Sequence, residues 1–428
     1  MKMIKKILIL SLMTSMIFNM NVSGSNKKSI KILGKVVTNN NVNYSFENGV
    51  LTVSGNGVMD DTFSEKYKRE DIKSVIIKDG ITGISDWCLQ GCENISNIEI
   101  PESVTVIGHY ALGCNDNKIQ ELVIPNTVKE IGKKGLGYSF YKKVTMPATI
   151  KVDYLEYEKE DCPVLYDGAN DIYLNTKYNP KMKNVLYAKN IYTCSNDKKY
   201  SSKKGVVYSK DGKTLIQVPA LRKRVVIRKG CTTVRTSALG YYQFTGDGEI
   251  LPHIVPSSIK IPSSVRKIKH DLDVPHITFD KKVNWIVKTG KLSGRSIENL
   301  CSLMSKKEQN KFFKTKNAKT KVKNKMAITK DGVLIRYMGN AKNIRIPKKV
   351  KRIGKVAFYG KNLKNLTLNK KLKCIGEYAF AYCLDLKKVK WNIRLKKIEK
   401  FAFSHTYIKK KKSSKKIKVD KYAFYHGI

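Results

Sequence analysis

The phrase "IGEYAFAYC" occupies residues 375–383, and "IGHYALGC" occupies residues 107–114. They differ by conservative exchanges and by one extra residue before the later cysteine. A phrase holding Cys, His, Glu and Tyr that occurs twice is either a duplicated site or a duplicated structural unit, and the spacing of its copies separates the two. Aligned on the dipeptide at its centre, Cys88-Leu89, Ala111-Leu112 and Gly135-Leu136 fall 23 and 24 residues apart. Later, Ala357-Phe358, Ala379-Phe380, Ala402-Phe403 and Ala423-Phe424 fall 22, 23 and 21 apart, and one isolated copy stands at Ala238-Leu239. A period of 21–24 residues is that of a stacked repeat.

Each unit has the same internal order. A short alternation of apolar residues comes first: Ile95, Ile98, Ile100; Ile119, Leu122, Ile124; Leu363, Leu366, Leu368; Leu386, Val389, Trp391. The period of two and the β-branched residues predict a strand. Pro101, Pro125, Pro147, Pro262 and Pro347 close these runs, because proline has no N–H to give a ladder. A second apolar pair follows (Val104/Ile107, Val128/Ile131, Val350/Ile353), ending in Gly108, Gly132 or Gly354. The expectation there is a turn needing positive φ. The Ala-aromatic-Cys piece comes last, with the spacing of one inward face of a helical turn. One unit of this length cannot bury its own apolar face, whereas stacked units bury a continuous one.

The array is interrupted. The expected organisation is a signal peptide over 1–24, leader strands over 25–71, a first repeat block over 72–150 and an irregular insert over 151–204. A hairpin with a degenerate second block follows over 205–280, then a basic helical and loop insert over 281–325, and a strongly basic third block over 326–428. "GVVYSKDGKTLIQVP" (205–219) and "MAITKDGVLIRY" (326–337) each set two apolar runs around Lys-Asp-Gly, a hairpin signal. "SIENLCSLMSKKEQNKFF" (296–313) has helical periodicity with Ser296 as its cap, and "KTKNAKTKVKNK" (314–325) is expected as a solvated basic loop.

Of 428 residues, 41% are hydrophobic, enough for a large core. The formal net charge is +48, and its distribution is uneven. Residues 25–200 carry 23 Lys/Arg against 22 Asp/Glu; 201–300 carry 19 against 7; 301–428 carry 38 against 6. A neutral N-terminal part followed by a polycation implies a polyanionic partner at one end. Lysine enrichment from an AT-rich genome is the alternative, but it does not account for the neutral first stretch. Lys2, Lys5 and Lys6 precede the apolar run 7–18, with Val22 and Gly24 as small residues for a cleavage, so the chain is expected to be exported and to keep no membrane span.

Nine cysteines, an odd number, do not form a disulfide framework in a chain of this length. Cys92 and Cys114 would fall on adjacent units, within reach of a disulfide; a zinc reading would start from Cys88 and Cys92 but lacks the second pair that such sites use. The third reading, small apolar filler, fits cysteines at equivalent positions best. Neither a metal nor a cofactor is expected. None of the catalytic fingerprints for metalloproteases, serine hydrolases, phosphate loops or dinucleotide binding occurs, so no enzyme is expected. The candidate binding residues are Lys409, Lys410, Lys411, Lys412, Lys415, Lys416 and Lys418, a basic run with Phe401, Tyr407, Tyr422 and Tyr425 nearby. Phe403 and Phe424 sit at repeat-core positions and are not free to stack on a ligand.

"IKSVIIKDGITGISDWCLQGCENISNIEIPESVTVIGHYALGC" (72–114) resembles the BspA-like, treponemal-class leucine-rich repeats, whose units read IP-x-SVT-x-IG-x-x-AF-x-GC. "VNYSFENGVLTVSGNGVMDD" (42–61) is similar to the leader that precedes such repeats, and the 205–219 hairpin resembles their module openers. The resemblance covers roughly 42–150, 205–270 and 326–428. It implies a mainly β, α/β leucine-rich-repeat solenoid of short strands and short helical turns, in a secreted or surface bacterial protein. Several members are adhesins, and no catalytic residues come with the family. The chain departs from the pattern in having Leu at 89, 112, 136 and 239, in replacing Ser, Thr and Asn by Lys, and in showing no sorting motif after the repeats.

The resulting expectation is an exported binding or adhesion protein whose basic C-terminal half contacts a polyanion: cell-wall polymer, glycosaminoglycan or an acidic protein surface. The alternative is an adhesin for a host or matrix protein that uses its strand face, with charge incidental. A secreted enzyme with its site in the inserts is a third reading, and an intracellular nucleic-acid binder conflicts with the signal segment. No small-molecule substrate is expected.

Overall fold

The computed structural model describes residues 30–33, 35–37, 41–113, 119–137, 140–153, 168–180, 186–239, 243–244, 250–251, 256–271, 283–392, 394–408 and 417–425. The expected signal peptide lies outside them. The chain winds as a mainly β solenoid of coils of about 23 residues. Each coil gives one strand to each of two parallel ladders. In the first block, one ladder runs through Val50–Met59, Ser74–Ile77 and Asn97–Glu99. The other runs through Ile81–Ile84, Val106–Ile107, Glu130–Gly132 and Lys151–Asp153. In the third block the ladders are Asn343–Arg345, Asn365–Thr367, Lys388–Lys390 and Val333–Tyr337, Arg352–Ile353, Cys374–Ile375, Lys397–Ile398, Lys418–Val419. The apolar residues of the repeat point inward as expected: Ile95, Ile107, Ile131, Ile353, Ile375, Ala379, Phe380 and Cys383 are fully buried. Tyr337, Phe358, Phe380, Phe403 and Phe424 form a continuous internal column, with ring centroids 5.0–5.3 Å apart.

The third side of each coil is a single turn closed by i+3 to i bonds, such as Ala381 N to Tyr378 O and Cys383 N to Phe380 O. It also carries its own ladder from coil to coil: Phe358 N donates to Ala379 O and Phe380 N to Ala402 O, each at 2.8 Å. The glycine ending the second apolar pair is there for a different reason from the expected one. It does not have positive φ. A Cβ on Gly108 would lie 2.4 Å from Asp86 Oδ1 and 2.6 Å from Asp86 N, so only glycine lets the neighbouring coil approach. The left-handed residue comes two positions later, at Trp87, Tyr110, Lys134, Val356, Tyr378 and Phe401, with φ of 49–62°. Non-glycine residues in that region cost about 1–2 kcal/mol each, offset here by the coil-to-coil ladder.

The residue between these two positions is turned inward. By its alignment with His109 and Lys355 in the repeat, Glu377 is expected on the outside of the coil, but His109 and Lys355 are buried and Glu377 is half-buried. The backbone explains it. The side chain of one coil accepts the N–H of the next: Asp86 Oδ1 from His109 N (2.7 Å), and His109 Nδ1 from Lys133 N (2.9 Å). Lys355 Nζ then meets Glu377 at 2.7 Å.

Three stretches differ from their sequence-based expectation. Within 151–204, Ala169–Leu174 and Ala188–Tyr192 add parallel strands to the Tyr141–Met146 ladder, so coils persist where the motif is lost. The helical stretch is two helices, α1 (Gly294–Cys301) capped by Ser293 and α2 (Lys306–Phe313) capped by Ser305. The basic stretch after them is not a loop. Thr320–Lys323 pairs antiparallel with Met326–Thr329, which pairs in turn with Val333–Tyr337. The 205–219 hairpin forms likewise. Ser305 and Glu308 make a reciprocal capping box, and Glu308 Oε1 also accepts from Val283 N at 2.6 Å. Ser305→Ala is expected to lower unfolding free energy by about 1 kcal/mol, read from urea denaturation.

α1 stands in for a coil. On one side, Ser296 Oγ accepts from Ile268 N (3.1 Å) and Asn299 Nδ2 donates to Ile268 O (2.8 Å), which satisfies the last strand of the second block, Lys267–Lys269. On the other, Glu298 Oε1 accepts from Lys355 N (2.9 Å), the bond that Asp86 and His109 make in the first block.

Candidate functional site on the C-terminal coils

Of the expected lysine run, Lys409, Lys410, Lys411, Lys412, Lys415 and Lys416 lie outside the described residues. Lys418 is exposed on the strand Lys418–Val419, paired in register with Lys397. The described coils carry a larger basic surface. Lysines recur with the coil period and therefore stack. Lys396 N donates to Lys373 O and Lys373 N to Lys351 O, which aligns Lys351, Lys373 and Lys396. Lys387 N donates to Lys364 O and Lys364 N to Lys342 O, aligning a second set. Asn392 Nδ2 to Asn369 O and Asn369 Nδ2 to Pro347 O place Lys349, Lys371 and Arg394 in a third. All nine side chains are exposed, and none has an ion pair among the described residues. Adjacent coils are about 4.8 Å apart, so the three columns hold like charges well inside a Debye length of about 8 Å.

The glutamates of this region are used elsewhere. Glu377 pairs with Lys355, and Glu399 meets Arg352 (2.7 Å), Lys397 (3.1 Å) and Arg295 (3.7 Å). Glu298 of α1, buried, takes Arg352 Nε at 2.9 Å and Nη2 at 3.1 Å. Burial pushes the Glu298 carboxyl up to about 7, Arg295 and the Lys355 N–H pull it down, and Glu399 adds to the rise.

Aromatic side chains line the turn side of the same coils. Tyr359, Tyr382 and His405 stack in sequence, with centroids 5.3 and 4.3 Å apart. Tyr378, Phe401 and Tyr422 form a second column at 4.8 and 5.5 Å, with Lys400 Nζ 5.1 Å from the Phe401 centroid and Lys421 Nζ 4.6 Å from that of Tyr422. Tyr359, Tyr382, Tyr422 and Tyr425 are exposed. Phe403, as expected, is wholly buried. The columns were missed at the sequence level, although their signal was present: the offsets 342/364/387, 349/371/394 and 351/373/396 repeat the 22- and 23-residue spacing of the Ala-Phe pairs.

The cysteines behave as filler. Cys88, Cys92 and Cys383 are buried, and burial raises all three thiols, that of Cys92 to about 11 and that of Cys383 to about 12, against thiolate chemistry. The proposed partner of Cys92, Cys114, lies outside the described residues. Among the described residues no cluster of three or more His, Cys, Asp or Glu is placed to hold a metal, and no helix is long and apolar enough to cross a membrane.

Coils of about 23 residues with two parallel strand ladders, an internal apolar column and proline-closed first strands define a leucine-rich-repeat solenoid. Residues 57–157 and 334–427 match the family model described as a BspA type leucine rich repeat region, in six copies. These two stretches are BspA-type leucine-rich-repeat regions. No curated protein matches the chain. Among solved structures it is similar to a leucine-rich repeat protein from Eubacterium ventriosum at 20% identity, covering 90% of this chain and 92% of that one, with a TM-score of 0.31. It is also similar to a leucine rich cell surface protein from Faecalibacterium prausnitzii (15% identity, 83% and 94% covered, TM-score 0.26). A third likeness is to the pneumococcal vaccine antigen PcpA (14% identity, 87% and 74% covered, TM-score 0.22).

Proposed function

We propose that this is an exported binding protein whose C-terminal coils hold an extracellular polyanion, either a cell-wall polymer, a glycosaminoglycan or an acidic protein surface. The observation that carries this reading is the three columns of exposed, unpaired cations at coil spacing. A linear polyanion lying along the axis neutralises several members of a column at once and relieves their mutual repulsion, which isolated surface lysines do not offer. Lys409, Lys410, Lys411, Lys412, Lys415, Lys416 and Lys418 extend the same basic region in sequence. The contact is electrostatic, so it steers association and weakens with salt. On a heparin column the protein should elute well above about 0.15 M salt, and Lys371→Glu/Lys373→Glu/Lys396→Glu should elute much earlier. Elution of the unaltered protein below about 0.15 M overturns the reading.

The exposed aromatic columns favour a second reading, adhesion to a host or matrix protein, because stacked tyrosines are the kind of anchor such interfaces use. That binding would survive the triple charge reversal and fail in Tyr359→Ala/Tyr382→Ala.

A further inference from the structure

Where α1 meets the last strand of the second block, the surface folds into a cavity of about 700 Å3. Its wall is basic from three directions: Arg266, Lys267, Lys269 and His270 come from the strand and its flanks, Arg295 from α1, and Lys355 from the first coil of the third block. Among the described residues no acidic side chain lines it. Two of these cations are already engaged from behind, Arg295 by Glu298 (3.3 Å) and Lys355 by Glu377 (2.7 Å), which fixes their positions. Arg266, Lys267 and Lys269 have no ion pair among the described residues. Asp271, next to His270, is turned toward Ser237 and Arg235.

The polar groups of the wall are also uneven. Ser293 and Ser296 at the start of α1 line the cavity and bond to each other at 3.2 Å. Asn299, buried in the same wall, spends its Nδ2 on Ile268 O, and its Oδ1 has no hydrogen-bond partner among the described residues. A volume near 700 Å3 is in the range of small-molecule sites. Arg266, Lys267 and Lys269, which converge there with no carboxylate partner among the described residues, suit a compact dianion better than a monocarboxylate. The guanidinium forks of Arg266 and Arg295 match phosphate oxygens.

We propose that this cavity is a discrete site for a phosphate ester of a polyol or sugar, with Arg266, Lys267, Lys269, Arg295 and Lys355 holding the phosphate and the Ser296–Asn299 wall meeting the hydroxyls. It is separate from the lysine columns, none of which lines it, and it does not rest on the polyanion reading. The site exists only because α1 replaces a coil: a strand there would continue the sheet and fill the recess.

The test is calorimetric titration of the full chain with inorganic phosphate and with a hexose monophosphate, at matched ionic strength in about 0.15 M salt. The expected result is saturable one-to-one binding of both, tighter for the ester. Lys267→Glu/Lys269→Glu, two exposed positions that leave the core intact, should weaken it at least about tenfold. Lys371→Glu/Lys373→Glu/Lys396→Glu should leave it unchanged. Absence of saturation overturns the site, as does equal weakening by both sets of changes, since binding would then be diffuse. Equal affinity for phosphate and ester overturns its assignment to an ester. Thermal melts of both variants, matching the unaltered protein, exclude misfolding as the cause of a loss.

Discussion

Phe380→Ala is expected to lower the unfolding free energy of the C-terminal coils by about 4 kcal/mol. Phe380 is fully buried and lies between Phe358 at 5.0 Å and Phe403 at 5.1 Å. Truncation removes its apolar area, leaves a cavity in a column that cannot collapse because the strand ladders hold the coil spacing, and breaks two stacking contacts. In a solenoid each coil touches only its neighbours, so the loss stays local. Denaturation followed by hydrogen exchange should show coils on either side of residue 380 destabilised and those before residue 150 unchanged. Phe380→Leu should cost less than about 1.5 kcal/mol, because Leu89, Leu112 and Leu136 fill the same position in the first block. An equal loss for both substitutions would show that the column is not the source of the stability.

Glu298→Ala is expected to cost about 3 kcal/mol at a pH near 8, where the carboxylate is ionised. The residue does two things at the junction of α1 with the third block. It accepts the Lys355 N–H that a preceding coil would otherwise satisfy, and it takes the Arg352 guanidinium on two atoms. Removing it leaves a buried N–H without an acceptor and Arg352 with Glu399 as its remaining carboxylate. Glu298→Gln keeps an acceptor for Lys355 N and should lose less. The two variants therefore separate the backbone bond from the charge. The pH dependence has a definite sign. Burial raises the carboxyl from 4.5 to about 7, so across that window the folded chain retains a proton that the unfolded chain releases. The group's contribution to stability falls as pH rises through the window. Relative to Glu298→Gln, the unaltered protein should lose stability between about pH 5 and pH 8. A rise over that range would show that Arg352 and Arg295 more than offset the desolvation.

The coil interior was legible because it is repetitive and apolar. Ile95, Ile98, Val104, Ile107, Ala111 and, in the third block, Leu363, Leu366, Val350, Ile353 and Ala357 could be placed inward from spacing alone, and each is buried. The corner after the conserved-looking Ile-Gly pair was not legible. Glu377, His109 and Lys355 are charged or polar and read as solvent-facing, yet a backbone N–H of the next coil holds His109 inward and Lys355 and Glu377 pair with each other across the coils, and no sequence period signals such contacts. The same limit applied to Ala169–Leu174 and Ala188–Tyr192, which keep the parallel ladder after the Ala-Phe motif has decayed, and to α1, which imitates a coil with side chains instead of a strand. The basic site was half legible. The excess of 38 Lys/Arg over 6 Asp/Glu in 301–428 is visible in the sequence, where only the run at 409–418 stands out as contiguous. Contiguity in sequence is not what brings charges together on a solenoid.

By itself, then, the sequence determined the class of fold, the length of the coil, the identity of the core and the presence of a polycationic end. These follow from period and composition, which are local properties of the chain. Only the tertiary structure decided which lysines are neighbours, which acids neutralise them and where a recess opens between α1 and the second block. Residues 22 or 23 apart become adjacent only when one coil is laid on the next, so the reach of each charge is set by the stacking distance and not by its place in the sequence.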